Sequence, residues 1–300
     1  MRKNIWKALT ALCVGGILFV SGVISAKISY QKDGAVFAQI ERLIMEEYYY
    51  EIPPERVFLL GINGALDEYS RYLSREEYGS ETNIESPSVE YRNTLANGSN
   101  SAYVYLPTFT QESLQQFAVA LQSYKASGQK NLLLDLRGNT GGDMAVFSKI
   151  AAYFCKDGQG RVKTAIAKTK KGEKVFYAEK SLYQEYFSQT ERIGVLADEN
   201  TASAAECLLG CMLDYGAIDY GDLCLAYKDG EVAKTFGKGV MQTSYRLKDG
   251  GVLRLTTGKL YFPLSKHCID EIGISQADGI KPILHGEQEI IRAAKILGFF

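Results

Sequence analysis

Asn131-Leu132-Leu133-Leu134-Asp135-Leu136-Arg137-Gly138-Asn139-Thr140-Gly141-Gly142 is the stretch that decides the fold. A short apolar run bounded by turn residues is the pattern of a buried strand, here spanning 130–136, with the run Leu132-Leu133-Leu134 ending on Asp135. The Gly-rich turn that follows leads into an apolar segment, Met144 to Phe154, with helical spacing. The same strand-then-helix order repeats on both sides. Upstream, Ala102–Leu106 reads as a strand, and Gln111–Tyr124 as a helix with Leu114, Phe117, Ala118 and Leu121 on one face. Downstream, strands are expected over 163–167 and 173–178, around the lysine-rich turn Lys168-Thr169-Lys170-Lys171. A strand over 193–196 and a helix over 202–215 follow, then mostly strands, then a last helix over 287–297. Alternating strands and helices predict a layered α/β domain over 101–300.

Before residue 101 the pattern is different. Residues 34–51 carry apolar side chains at helical spacing, Pro53-Pro54 interrupts them, and a second helix with Val57, Leu60 and Ala65 is expected after it. Together these make a helical segment over 28–78. Residues 79–100 are polar, contain Asn, Ser, Gly and one Pro, and read as a linker. At the other extreme, 8–25 is uncharged and apolar, and Arg2, Lys3 and Lys7 precede it. That length suits a single-pass membrane anchor within 1–27, with the basic end cytoplasmic and the rest of the chain outside. A cleaved signal peptide ending near Ala26 is the competing reading.

The formal net charge is −1, which speaks against nucleic acid as the partner, because phosphate binding needs a basic surface. The six cysteines show no C-x-x-C spacing and read mostly as small buried apolar residues, with a Cys224–Cys268 pairing left open. No metal or organic cofactor is implied.

Three segments can carry chemistry. In Asp135–Gly142, glycines next to a helix start expose backbone N–H groups able to hold an oxyanion, although the pattern also fits a plain turn. In Glu199-Asn200-Thr201-Ala202-Ser203-Ala204-Ala205-Glu206, a serine lies between a strand and a helix; taken alone, it suits a helix cap with Glu206 completing a capping box. In Thr235-Phe236-Gly237-Lys238-Gly239-Val240-Met241-Gln242, a lysine lies between two glycines that would let other groups pack closely around it. A serine nucleophile needs a base. His267 and His285 are the two histidines, both near the C-terminus, whereas a lysine serves when burial favours its neutral form.

Taken together, the three segments resemble the C-terminal processing peptidases, also called tail-specific proteases. The resemblance starts at Leu66–Leu73, resumes at Ala102, and includes Thr256–Pro263 and Asp278–Pro282. It implies a crotonase-like or Clp-like α/β core of short sheets and helices in a spiral. It also implies Ser203 as nucleophile, Lys238 as general base and Gln242 as the residue that positions the base. Ala204 N–H, with that of Gly141 or Gly142, would form the oxyanion hole, and Asp214 is taken as structural. The implied substrates are extracytoplasmic proteins or peptides. The alternative is a catalytically silent, membrane-anchored binding module on the same fold.

The sequence departs from the family pattern in three places. No PDZ domain fits between Tyr78 and Ala102, so an adaptor protein is expected to replace it. The interval from Asp214 to Lys238 is longer than usual, with an insert expected over 222–234 and a turn at Lys228-Asp229-Gly230. Ala205 stands where many relatives have a second serine.

Overall fold

The computed structural model describes residues 61, 63–64, 66–82, 87–95, 99–156, 159–187, 191–248, 250–275, 279–286 and 288–300. The apolar stretch 8–25 and the helices expected before residue 61 lie outside them. Among the described residues no helix is long and apolar enough to cross a membrane. The described residues fall into two compact units, one within Met1–Asn83 and Gln242–Thr256, the other within Ile84–Met241 and Thr257–Phe300.

The larger unit is built on a sheet formed by β2 (Glu90–Arg92), β3 (Ser101–Tyr105), β4 (Asn131–Asp135), β7 (Arg192–Ala197), β8 (Leu223–Tyr227) and β11 (Lys281–Leu284), in the order β11-β8-β7-β4-β3-β2. Every pair is parallel except β2 with β3. The three leucines of β4 show why the strand is apolar throughout. Leu132 and Leu134 join Val104 and Val195 in the core under helices α2 (Gln111–Ser127), α3 (Met144–Ala151) and α5 (Ala204–Asp214). Leu133 points to the other face, with Tyr103, Leu196, Cys224 and Ile283, against Ala293, Ala294, Leu297 and Phe299 of the last helix, α6 (Glu289–Ile296), and the residues after it. Both faces are covered, so alternation disappears from the sequence. Each leucine fully buried in this way contributes about 1.5–3 kcal/mol.

The remaining strands of this unit form a hairpin, β5 (Val162–Thr169) with β6 (Gly172–Ala178), which places the lysine-rich turn at its tip. Residues Gly258–Tyr261 of β10 (Val252–Tyr261) pair antiparallel with β5. Strand β10 and strand β9 (Val240–Arg246) each run through both units. In the smaller unit, β1 (Arg71–Leu73) pairs with Val252–Arg254, and Glu81 of α1 (Arg75–Thr82) takes both Arg71 and Arg254 as ion partners.

Three sequence expectations change. The linker expected over 79–100 contains the end of α1 and strand β2, whose antiparallel pairing with β3 is a long-range hydrogen-bonding effect invisible in three residues of which Glu90 and Arg92 are exposed and Tyr91 half-buried. The insert expected over 222–234 begins with strand β8, which lies between β7 and β11; the turn after it closes with Glu231 N–H donating to the Lys228 carbonyl at 3.0 Å. The helix expected over 144–154 tightens into a 3-10 turn at Ala152–Phe154.

The five described cysteines are free thiols, so the Cys224–Cys268 pairing left open from sequence is not formed. Cys224 is buried under the last helix, and Cys155 and Cys211 touch at 3.7 Å, sulfur to sulfur.

Candidate active site

The three chemistry-bearing segments follow the carboxyl ends of parallel strands. The Gly-rich turn follows β4, the serine turn follows β7, and the chain after β8 leads to Lys238. Open parallel sheets collect their functional loops at this edge, because every strand there hands its chain to a turn.

Ser203 joins β7 to helix α5 with φ 57° and ψ −117°. A non-glycine residue with positive φ is strained, and such strain persists only where its surroundings enforce it. Several contacts hold this turn. Ala202 N–H donates to the Asn139 carbonyl at 2.9 Å, and the Thr201 hydroxyl donates to the Leu136 carbonyl at 2.9 Å. Phe236 N–H donates to the Thr201 carbonyl at 3.0 Å. The serine turn is thereby sewn to the Gly-rich turn on one side and to the lysine segment on the other.

The Gly-rich turn presses directly on the serine. A Cβ on Gly141 would lie 2.9 Å from Ser203 Cβ and 3.0 Å from Ala204 N, at a backbone φ of 104°. Only glycine fits. The Gly141 N–H donates to Asn139 Oδ1 at 2.9 Å, and its carbonyl accepts from Phe109 N–H and from the Thr108 hydroxyl. Asn139, wholly buried, also donates from Nδ2 to the Leu106 carbonyl at 2.8 Å. The Gly141 N–H is therefore engaged, while those of Gly142 and Ala204 make no hydrogen bond among the described residues.

Glu206 holds the centre. Its side chain has no exposed surface and accepts four hydrogen bonds: from Ser203 N–H at 2.9 Å, Lys238 N–H at 2.9 Å, Gly237 N–H at 2.8 Å and the Thr235 hydroxyl at 2.6 Å. Burial pushes its carboxyl above the ordinary glutamate range, against these four donors, which favour the carboxylate. The capping box legible in the sequence supplies the first contact. The other three depend on the lysine segment, 31 residues away in the chain for Gly237, and no local pattern marks them. Gly239, after the lysine, runs so close to Asp270 that an added Cβ would meet its backbone N at 2.4 Å. The close packing expected around Lys238 is thus provided by the chain at 270–273.

The other candidates are located as follows. Gln242, in the smaller unit, donates from Nε2 to Thr256 Oγ1 at 3.3 Å. Asp214, at the end of helix α5, accepts from the N–H groups of Leu264 and Ser265 at 2.7 and 3.0 Å, a structural clamp. His267 packs its ring on Phe262. His285 spans two carboxylates, Glu199 at 2.9 Å and Glu289 at 3.1 Å.

Residues 100–277 match the sequence model of Peptidase family S41. The chain belongs to that family. Among its relatives is the carboxy-terminal processing protease CtpB of Bacillus subtilis, 27% identical over 185 residues, covering 61% of this chain and 35% of the relative. A probable CtpA-like serine protease of Staphylococcus aureus is 31% identical over 181 residues, covering 60% and 32%. The S41 chain therefore spans about a third of the length of these relatives. Among solved structures, a photosystem II D1 C-terminal processing protease has a TM-score of 0.52 at 22% identity, covering 72% of this chain and 53% of its own. A lipoprotein from Streptococcus agalactiae has a TM-score of 0.57 at 17% identity, covering 90% of each chain. At these identities the likeness is one of fold. The S41 chain shares a mixed α/β architecture with both.

Proposed function

We propose that this S41 chain is a serine peptidase that cleaves protein or peptide substrates through an acyl-enzyme on Ser203, with Lys238 as general base. The observation that carries this reading is the Glu206 carboxylate, which holds the backbone N–H groups of Ser203 and Lys238 on one oxygen, at 2.9 Å each. Two residues 35 positions apart in sequence (Ser203 to Lys238) are thereby pinned to one buried group.

In the proposed reaction, neutral Lys238 takes the Ser203 hydroxyl proton as Oγ attacks the peptide carbonyl. The N–H groups of Ala204 and Gly142 hold the tetrahedral oxyanion; Gly142 is favoured over Gly141 because the Gly141 N–H is committed to Asn139. Protonated Lys238 passes its proton to the leaving amine. Water, deprotonated by Lys238, then releases the acyl group. Gln242 is assigned to positioning the lysine. The finer fold is the crotonase-like or Clp-like spiral that the family resemblance implies.

The residues around 8–25 are assigned to a membrane anchor with the catalytic unit outside the cytoplasm. Processing of carboxy-terminal tails is the activity that the names of its relatives suggest, with an adaptor protein supplying the recognition that a PDZ domain would otherwise give. The test is labelling of the full chain by an alkyl fluorophosphonate. Wild type should label at Ser203, and Ser203→Ala and Lys238→Ala should not. Equal labelling of Ser203→Ala would sink the assignment.

A further inference from the structure

The chain between β8 and the catalytic lysine builds a cleft that the reaction above does not use. It has a volume of about 430 Å³ and is lined by Glu199, Glu231, Val232, Lys234, Thr235 and Phe236. That size falls within the range of pockets that bury a small ligand, about 300–1,000 Å³. Its apolar groups are not core. Val232 is 68% exposed and Phe236 49% exposed, and Ile272, 59% exposed, lies on the segment packed against Gly237. Single exposed apolar residues need no explanation, but three large ones beside a reactive segment do.

The wall that carries them is fixed. Lys234 bridges Ser275 in an antiparallel contact, Thr235 N–H donates to the Ile274 carbonyl at 2.9 Å, and Glu271 N–H donates to the Gly237 carbonyl at 2.8 Å. From Ala233 to Lys238 burial alternates, with Ala233, Thr235 and Gly237 inside and Lys234, Phe236 and Lys238 outside or half-exposed. The Thr235 hydroxyl is tied down on Glu206, and Phe236 N–H on Thr201. Phe236 is thus presented two residues from the proposed base and one hydrogen bond from the nucleophile turn. Of the charged groups at the rim, Glu199 is paired with Lys228 at 3.2 Å, and Glu231 and Lys234 offset each other in sign. No net charge selects an ionic side chain.

We propose that this cleft is the substrate-selecting subsite of the enzyme and takes one bulky apolar side chain of the peptide, such as Leu or Phe, near the bond to be cut, with Val232 and Phe236 as the residues that determine that preference. The proposal rests on the peptidase reading for the identity of its occupant. It assigns a selecting role to the turn after β8, which lies in the stretch where this chain is longer than its family pattern.

The experiment measures binding apart from catalysis. Full-length Ser203→Ala in detergent is titrated with fluorescent peptides that carry Leu, Phe, Ala, Asp or Lys at each position in turn, read by anisotropy. The expected result is a preference of at least about tenfold for Leu or Phe over Ala at one position. That preference should fall below about threefold when Phe236→Ala or Val232→Ser is added, through weaker binding of the Leu and Phe peptides. Lack of an apolar preference, preference for Asp or Lys, or an apolar preference untouched by both substitutions would overturn the proposal. Fluorophosphonate labelling of the wild-type chain runs alongside. If Ser203 does not label but the preference behaves as described, the peptidase reading fails and the subsite survives.

Discussion

Glu206 ties the serine turn and the lysine segment to one buried side chain. Four donors converge on one carboxylate with no exposed surface, and two of them belong to the backbone of Ser203 and Lys238. Glu206→Gln keeps the shape but turns an NH2 group towards donors that need an acceptor. Leaving such groups unsatisfied costs about 1–3 kcal/mol each, and displacement of reacting groups by about 1 Å costs on the order of 100-fold in rate. The expected outcome is a lower melting temperature and a fluorophosphonate labelling rate reduced about 100-fold at temperatures where the variant is still folded. Labelling at the wild-type rate would show that the carboxylate is not what holds the pair. Gly141→Ala tests the opposite side of the serine. Its φ of 104° and the 2.9 Å approach to Ser203 Cβ leave no room for a methyl group, so the turn must shift. Activity should fall by about 100-fold or more, measured as labelling rate, while circular dichroism stays native.

The last helix, α6, and the strand edge meet through a cluster of charges. Partial burial pulls the His285 pKa down, but hydrogen bonds to Glu199 and Glu289 outweigh it and hold the imidazolium above its ordinary range. Lys228 on Glu199 and Arg137 on Glu289 share the same carboxylates and temper the effect. Because the folded value lies above the unfolded one, about 6.5, the stabilisation is complete below that pH and is lost as pH rises through the folded value. With the ring 30% exposed, the gain is small, about 0.5 kcal/mol. Melting curves from pH 5.5 to 9 should show wild type more stable than His285→Gln at the acid end and equal to it at the alkaline end. A difference independent of pH would remove the imidazolium from the account. The same region shows what was legible in the sequence. The apolar run of β4, the glycine turn and the serine turn announce themselves locally, since each depends on neighbouring residues. Strands β2 and β8 do not, because their stability comes from partners far along the chain. The role of Glu206 is likewise half visible. Its bond to Ser203 follows from the spacing of three residues, and its bonds at 235–238 follow only from folding.

At the scale of the whole molecule, what this S41 chain would meet depends on where its larger unit is held. An uncharged stretch of 18 residues (8–25) would reach about 27 Å as a helix, close to the thickness of a bilayer's hydrocarbon core. Arg2, Lys3 and Lys7 on its leading side favour retention of that end in the cytoplasm. A unit tethered outside by this segment would meet only substrates that approach the membrane, which narrows its choice before any subsite acts. Expressed at full length in a bacterial host, the chain should sediment with membranes and stay there through an alkaline carbonate wash. Protease added to spheroplasts should digest an epitope placed after Phe300. Release by carbonate, or protection of that epitope while a cytoplasmic marker is also protected, would contradict the tether. A mature chain whose first residue follows Ala26 would instead identify the stretch as a cleaved signal, and the catalytic unit would then act free of the membrane.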